Sequence, residues 1–150
     1  MVSDLDQGKV RLAEEELDAQ PLALDAVYEA PCDIFSPCGL GGAINQRSIS
    51  LLRCAAVAGA ANNQLIDIDM ADQLDARGIL YAPDYVINAG GLLHVALTHR
   101  GVAHGEIAAR VKAIGERLDS IFTQSQSEGR SPAEVADRQA ERIIYPDASG

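Results

Sequence analysis

Four short stretches of this 150-residue chain carry residue types that could do chemistry. Asp4 closes the apolar start of the chain, and an acid at the end of a strand can hold the hydroxyls of a ribose or simply be solvated. Cys38-Gly39-Leu40-Gly41-Gly42-Ala43 is a glycine-rich loop behind an apolar run, where a ligand can approach the backbone closely. It is not a GxGxxG dinucleotide loop, because Ile44 occupies the last glycine position and no acid closes a neighbouring strand at the required spacing. The loop therefore reads as a structural turn or a ligand loop, and not as a phosphate cradle. Asn62-Asn63 ends a second apolar run, at the place where open α/β sheets bind ligands, although asparagine there can equally cap the next turn. Tyr81–Gly91 sets Asp84 behind Pro83 and ends on Gly90-Gly91, a pair that admits either a ligand or a closely packed helix.

Other chemistries lack their residues. Cys32, Cys38 and Cys54 are odd in number and show no CxxC spacing, so they read as reduced, partly buried thiols of a cytoplasmic protein. His94, His99 and His104 recur every five residues, which scatters them around a helix and gives no zinc ligand set. No metal is expected. With 12 Lys+Arg against 22 Asp+Glu, the net charge is −10, and no basic stripe offers itself to nucleic acid. No apolar run approaches the roughly 20 residues that span a bilayer, so no membrane partner is expected either. The hydrophobic fraction of 47% and charged fraction of 23% are those of a globular chain.

The candidate residues need elements to position them. Val2–Asp6 reads as the end of a strand, followed by a helix with Val10, Ala13 and Leu17 inward and Glu14, Glu15 and Glu16 outward. Pro21–Leu24 and Ala26–Tyr28 are short apolar segments, and Cys32–Pro37 is expected to be a buried strand. Ser48 is expected to cap a short helix through Arg53. Ala55–Ala61 and Ile79–Ala82 read as two more strands, separated by a helix over Ile68–Arg77 that stops at Gly78. Asp84 would cap a short helix ending at Ala89-Gly90-Gly91. Beyond it, Ile107, Val111, Ile114, Leu118, Ile121 and Phe122 form one apolar stripe on a long helix. Ser125–Arg130 is the expected turn, and Ser131-Pro132-Ala133-Glu134 opens a final helix that buries Val135, Ala136, Gln139 and Ile143. Asp147–Gly150 reads as a frayed tail. Strands alternating with helices predict an α/β fold with a parallel sheet.

Together the segments resemble the nucleotide-binding, C-terminal domain of the glutamate/leucine/phenylalanine/valine dehydrogenase family, most of all its leucine and phenylalanine branch. The residues that carry the resemblance are CDIFSPCGLGGAIN (Cys32–Asn45), VAGAANNQL (Val57–Leu65), GILYAPDYVINAGGLL (Gly78–Leu93) and SPAEVADRQAERI (Ser131–Ile143), in the family's order and spacing. The resemblance implies a truncated Rossmann-type parallel sheet over residues 1–91, a C-terminal helical pair over 92–145 and a tail over 146–150. It also implies an oxidoreductase: NAD-dependent oxidative deamination of an L-amino acid to a 2-oxo acid. Asp4 looks like the acid on the adenosine ribose, whose charge would repel the extra phosphate of NADP. Cys38, Gly39 and Leu40 resemble the loop along that ribose. Ala60, Ala61, Asn62 and Asn88 resemble the groups that place the nicotinamide and its ribose. Leu92 and Val95 match positions lining the substrate side-chain pocket, and both are apolar, which favours leucine, phenylalanine or valine over glutamate.

Departures accompany the match. Met1 stands three residues before Asp4, so the family's GxGxxG segment has no counterpart in this sequence, nor does its N-terminal substrate domain with the catalytic lysines and acid. Lys9 and Lys112 are the only lysines, and both read as solvated helix residues. His94 stands where leucine dehydrogenases usually carry asparagine. No catalytic residue is assigned. The expectations are a portion of an amino-acid dehydrogenase, complemented by an N-terminal half or a homo-oligomer and inactive alone, or else a non-catalytic nucleotide-binding or subunit-docking module, or an inactive remnant.

Overall fold

The structure is a computed structural model and describes residues 1–146, so the tail Asp147–Gly150 lies outside the described residues. Three parallel strands, β1 (Ile34–Phe35), β2 (Ala56–Val57) and β3 (Leu80–Tyr81), form a sheet in the order β1-β2-β3. Ile34 stands opposite Ala56 and Ala56 opposite Leu80. Parallel neighbours need crossovers, and here each crossover carries a helix: α2 (Gln46–Leu51) leads to β2 and α3 (Asp69–Ala76) to β3. The expected α/β fold is present. Its core joins α2, α3 and the sheet through Ile44, Ile49, Leu52, Val57, Met70, Leu74 and Tyr81.

The strands are shorter than the apolar runs that announced them. Pro37 and Pro83 follow β1 and β3, and neither can donate an N–H to extend a ladder. Before β1, the chain bends where the Asp33 carbonyl accepts from both Ala55 and Ala56. Nor is β1 a buried strand. It is the sheet's edge, with Ile34 59% exposed, because it pairs with β2 alone among the described residues.

The first helix, α1 (Gln7–Leu17), begins where the Asp6 side chain accepts from the Gly8 N–H and ends at Asp18, at φ 52°. Val10 is buried and Ala13 half-buried, but Leu17, expected to face inward, is exposed. Val2 pairs in parallel with Pro21, so one residue of the expected N-terminal strand does pair. Asn45, and not Ser48, caps α2: its side chain accepts from the N–H groups of Arg47 and Ser48. Ser48 instead returns the bond from the third helical position, accepting from the Asn45 N–H at 2.9 Å. The helix stops at Leu51 rather than at Arg53.

Beyond β3 the chain is helical. It forms α4 (Asp84–Ile87), turns at Asn88 and enters α5 (Ala89–His99) without stopping at Gly90-Gly91. Gly90 faces Val111 and Ile114 at 3.5 and 3.7 Å from where a Cβ would stand, so it serves helix packing. The long α6 (His104–Glu128) absorbs most of the expected Ser125–Arg130 turn, which shrinks to Gly129-Arg130, with Gly129 at φ 62°. Its apolar stripe is buried at Ile107 and Ile121 and half-buried between them. Ser131 caps α7 (Pro132–Ile144), with Pro132 in the first turn. Val135 and Ala136 pack on Ile121, while Ile143, expected to be buried, is 71% exposed. No helix among the described residues is long and apolar enough to cross a membrane, and no group of three His, Cys, Asp or Glu side chains there could hold a metal ion.

Candidate functional site

Because the strands are parallel, their carboxyl ends lie on one side of the sheet, and the loops that leave them meet there. The loop after β1 and the loop after β2 touch backbone to backbone. The Ala61 N–H donates to Pro37 O at 2.9 Å and the Gly42 N–H to Asn63 O at 2.8 Å. Gly59 is the closest approach: a Cβ there would stand 2.5 Å from Pro37 N and nearer still to Pro37 O, so no side chain fits. Gly41 is similarly close to Asn63 O, at 2.9 Å from its missing Cβ.

Side chains lock the β2 loop to the segment after β3. Gln64 is wholly buried, and its Nε2 donates to Gly59 O at 2.7 Å and to Ala61 O at 2.9 Å. Its backbone N–H donates to Asp84 Oδ2 at 2.7 Å. That bond corrects the expected role of Asp84, which reaches across to the β2 loop instead of capping α4. Asn88 Nδ2 donates to Ala61 O at 2.6 Å and lies 3.4 Å from Asn62 Oδ1. Tyr85, on α4, ties this segment to α7: its hydroxyl donates to Asp137 Oδ1 at 2.6 Å and lies 3.2 Å from Ala133 O.

Both tyrosines of this segment resist ionisation. Burial pushes Tyr81 up to about 12, and the Asp84 charge adds to the rise while the Asp84 N–H opposes it. Tyr85 is raised well beyond the ordinary phenol range, first by burial of its hydroxyl end and then by its bond to Asp137.

The structure thus joins Ala60, Ala61, Asn62 and Asn88 in one cluster, with Asn62 exposed and Asn88 half-buried. Cys38, Gly39 and Leu40 lie on the adjoining loop, all exposed, with Cys38 Sγ 3.4 Å from Ser36 Oγ. Leu92 and Val95 project from α5, directly after Asn88, and are 75% and 68% exposed. Asp4 is not tied to the cluster. Its side chain accepts from the Asp6 N–H at 2.8 Å, and its carbonyl from Gln7 Nε2. The sequence reading missed Gln64, Asp84 and Gly59 as the residues that hold the loops. Gln64 and Asp84 stood inside quoted motifs, but nothing in their spacing announces burial.

The cluster offers carboxamides and backbone groups that could hold a ligand by hydrogen bonds, and its one buried carboxylate is already bonded. Asp84 is engaged by Gln64, and Lys9 and Lys112 are exposed on α1 and α6. The start of α2, directly behind the glycine loop, offers no anion site, because Asn45 already occupies two of its free N–H groups.

A model of the glutamate/leucine/phenylalanine/valine dehydrogenases matches residues 2–139. The chain belongs to this family. Among its members, the leucine dehydrogenase of Thermoactinomyces intermedius is 38% identical over 144 residues, which are 96% of this chain and 39% of that protein. The phenylalanine dehydrogenase of Lysinibacillus sphaericus is 42% identical over 120 residues, 80% of this chain and 32% of that one. The crystal structure of L-tryptophan dehydrogenase from Nostoc punctiforme superposes with a TM-score of 0.92 at 36% identity, covering 99% of this chain and 46% of that one. The chain therefore spans about two fifths of the length of the dehydrogenases it matches.

Proposed function

We propose that the chain is the C-terminal, NAD-binding portion of a dehydrogenase that oxidatively deaminates an apolar L-amino acid of the leucine, phenylalanine or valine type. The observation that carries this reading is the clasp of Asn88 on Ala61 beside Asn62, at the carboxyl ends of parallel strands. Two carboxamides at the mouth of three loops suit the hydroxyls and amide of a nicotinamide riboside, and the open space at Gly39 leaves room for a ribose alongside. NAD, when bound, would accept a hydride from the carbon that bears the amino group. Ala61 and Asn62 would seat the nicotinamide end, with Asn88 fixing their loop. Leu92 and Val95 would line an apolar pocket, in which the second carboxylate of glutamate would stand unpaired. Asp4 would face the adenosine ribose and disfavour NADP by charge.

Amino-acid oxidation also needs a group to take the substrate's protons and a second wall to hold it. The cluster contains neither a free carboxylate nor a lysine. The 150-residue polypeptide is therefore expected to bind NAD no more tightly than about millimolar and to leave L-leucine, L-phenylalanine and L-valine unoxidised. NADH formation is expected once an N-terminal half of a leucine dehydrogenase, its glycine fingerprint included, is supplied as a separate chain. Turnover by the polypeptide alone would show that its catalytic groups lie elsewhere in the chain. Micromolar NAD binding without turnover in either mixture would favour a nucleotide-binding or subunit-docking module.

A further inference from the structure

At the end of the sheet opposite the three loops, Cys32 and Cys54 each stand two residues before a strand, Cys32 before β1 and Cys54 before β2. The register that pairs Ile34 with Ala56 and Phe35 with Val57, followed two residues back along both chains, brings Cys32 abreast of Cys54. The bend at Asp33 does not separate them, because the Cys32 N–H donates to Arg53 O at 3.2 Å. Adjacent strands run about 4.8 Å apart. That spacing lies inside the roughly 4.4–6.8 Å between Cα atoms that a disulfide bridges. Both thiols are free and half-buried, and Cys38, the third, is exposed at the far end of β1. The pair is close enough to interact: burial raises the pKa of Cys54, and Cys32 raises it further.

We propose that Cys32 and Cys54 form a dithiol pair that closes to an intramolecular disulfide across the base of β1 and β2. A small-molecule disulfide such as oxidised glutathione is the oxidant. The thiolate of one cysteine attacks it, forming a mixed disulfide and releasing one molecule of reduced thiol. The thiolate of the other cysteine then attacks the protein sulfur of that mixed disulfide and expels the second. The two protein thiols give up two electrons and two protons, and the oxidant is reduced to two thiols. Cys38 has Ser36 for a neighbour and no second thiol, so it stops at the mixed disulfide. Closure fixes the spacing of the two strands that carry the Cys38–Gly42 and Gly59–Asn63 loops, and it does not depend on what those loops bind.

The experiment treats the folded 150-residue chain with oxidised glutathione, alkylates the remaining thiols and maps the peptides without reduction. The expected map joins the Cys32 peptide to the Cys54 peptide and leaves Cys38 alkylated or bearing glutathione. In Cys38→Ser, both remaining thiols should vanish with no glutathione retained, and the urea midpoint should rise until dithiothreitol restores it. In Cys54→Ser, Cys32 should keep its glutathione. Stable glutathione adducts on Cys32 and Cys54 in the unsubstituted chain, a link to Cys38, or covalent dimers without the Cys32–Cys54 peptide would each overturn the proposal. The map of the unsubstituted chain decides the matter even if a serine variant fails to fold.

Discussion

Each strand of the sheet holds two residues, and the loops beyond it are fixed by side chains bonding to backbone; α6 holds 25 residues and fixes itself. The two regions solve different problems. The helices α5 to α7 bury apolar stripes against one another, so many residues could occupy each position if shape and polarity are kept. The loops on the sheet must put particular backbone groups at particular places. They spend polar residues inside the protein to do so, with Gln64 and Asp84 both buried and bonded. A binding surface requires the second kind of construction, because a loop held only by apolar contacts would leave its carbonyls and N–H groups unplaced.

The comparison breaks or sharpens under four substitutions. Gly59→Val has the largest expected effect, about 3 kcal/mol or more, because its side chain would enter the backbone of Pro37. Urea unfolding measures the loss. In whatever fraction still folds, nucleotide binding should also weaken. Ile121→Ala is expected to cost about 3 kcal/mol by leaving a cavity beside Val135. It should leave an NAD titration of the folded protein unchanged, and a weakened titration would mean that the two regions are not separate in function. Asp84→Ala strands the buried Gln64 N–H and should cost about 2 kcal/mol. Proton exchange at Gln64, read by NMR, should rise with it.

Tyr85→Phe tests the tie between the regions and is the mildest, at about 1 kcal/mol, because it removes one hydrogen bond to Asp137. The same tie gives a pH signature. A phenol whose folded pKa is raised contributes its full stabilisation below its unfolded pKa of about 10 and loses it as pH climbs through the folded value. For Tyr81 that folded value is about 12. The urea midpoint should therefore fall across this alkaline window, and fall less steeply in Tyr85→Phe.

What could be read from the residues follows the same division. The stripe from Ile107 to Phe122 and the Ser131–Glu134 start of α7 are periodic or local signals, and both elements are present. The parallel sheet was also legible, since apolar runs alternated with helices, but the order of its strands was not predicted. Strand length was not, because Pro37 and Pro83 decide it through missing donors rather than through hydrophobicity. Ser48 and Asn45 are both able to cap, and only the turn of the chain at Ala43–Asn45 selects Asn45. The site loops were found through glycine and asparagine, but their support was not. Gln64 is read as polar, hence exposed, until its two carbonyl partners are seen.

The register of the sheet also sets an order of assembly. Ile34 with Ala56, and Ala56 with Leu80, each close a loop of about two dozen residues, whereas α6 and α7 meet across the short turn at Gly129. Contacts that are near in sequence form sooner than those that must wait for loop closure. The helical pair is then expected to be structured while the sheet is still forming. The three loops, which exist only at the ends of paired strands, become whole last. On refolding from denaturant the chain is therefore expected to be partly folded before it has anywhere for a ligand to sit.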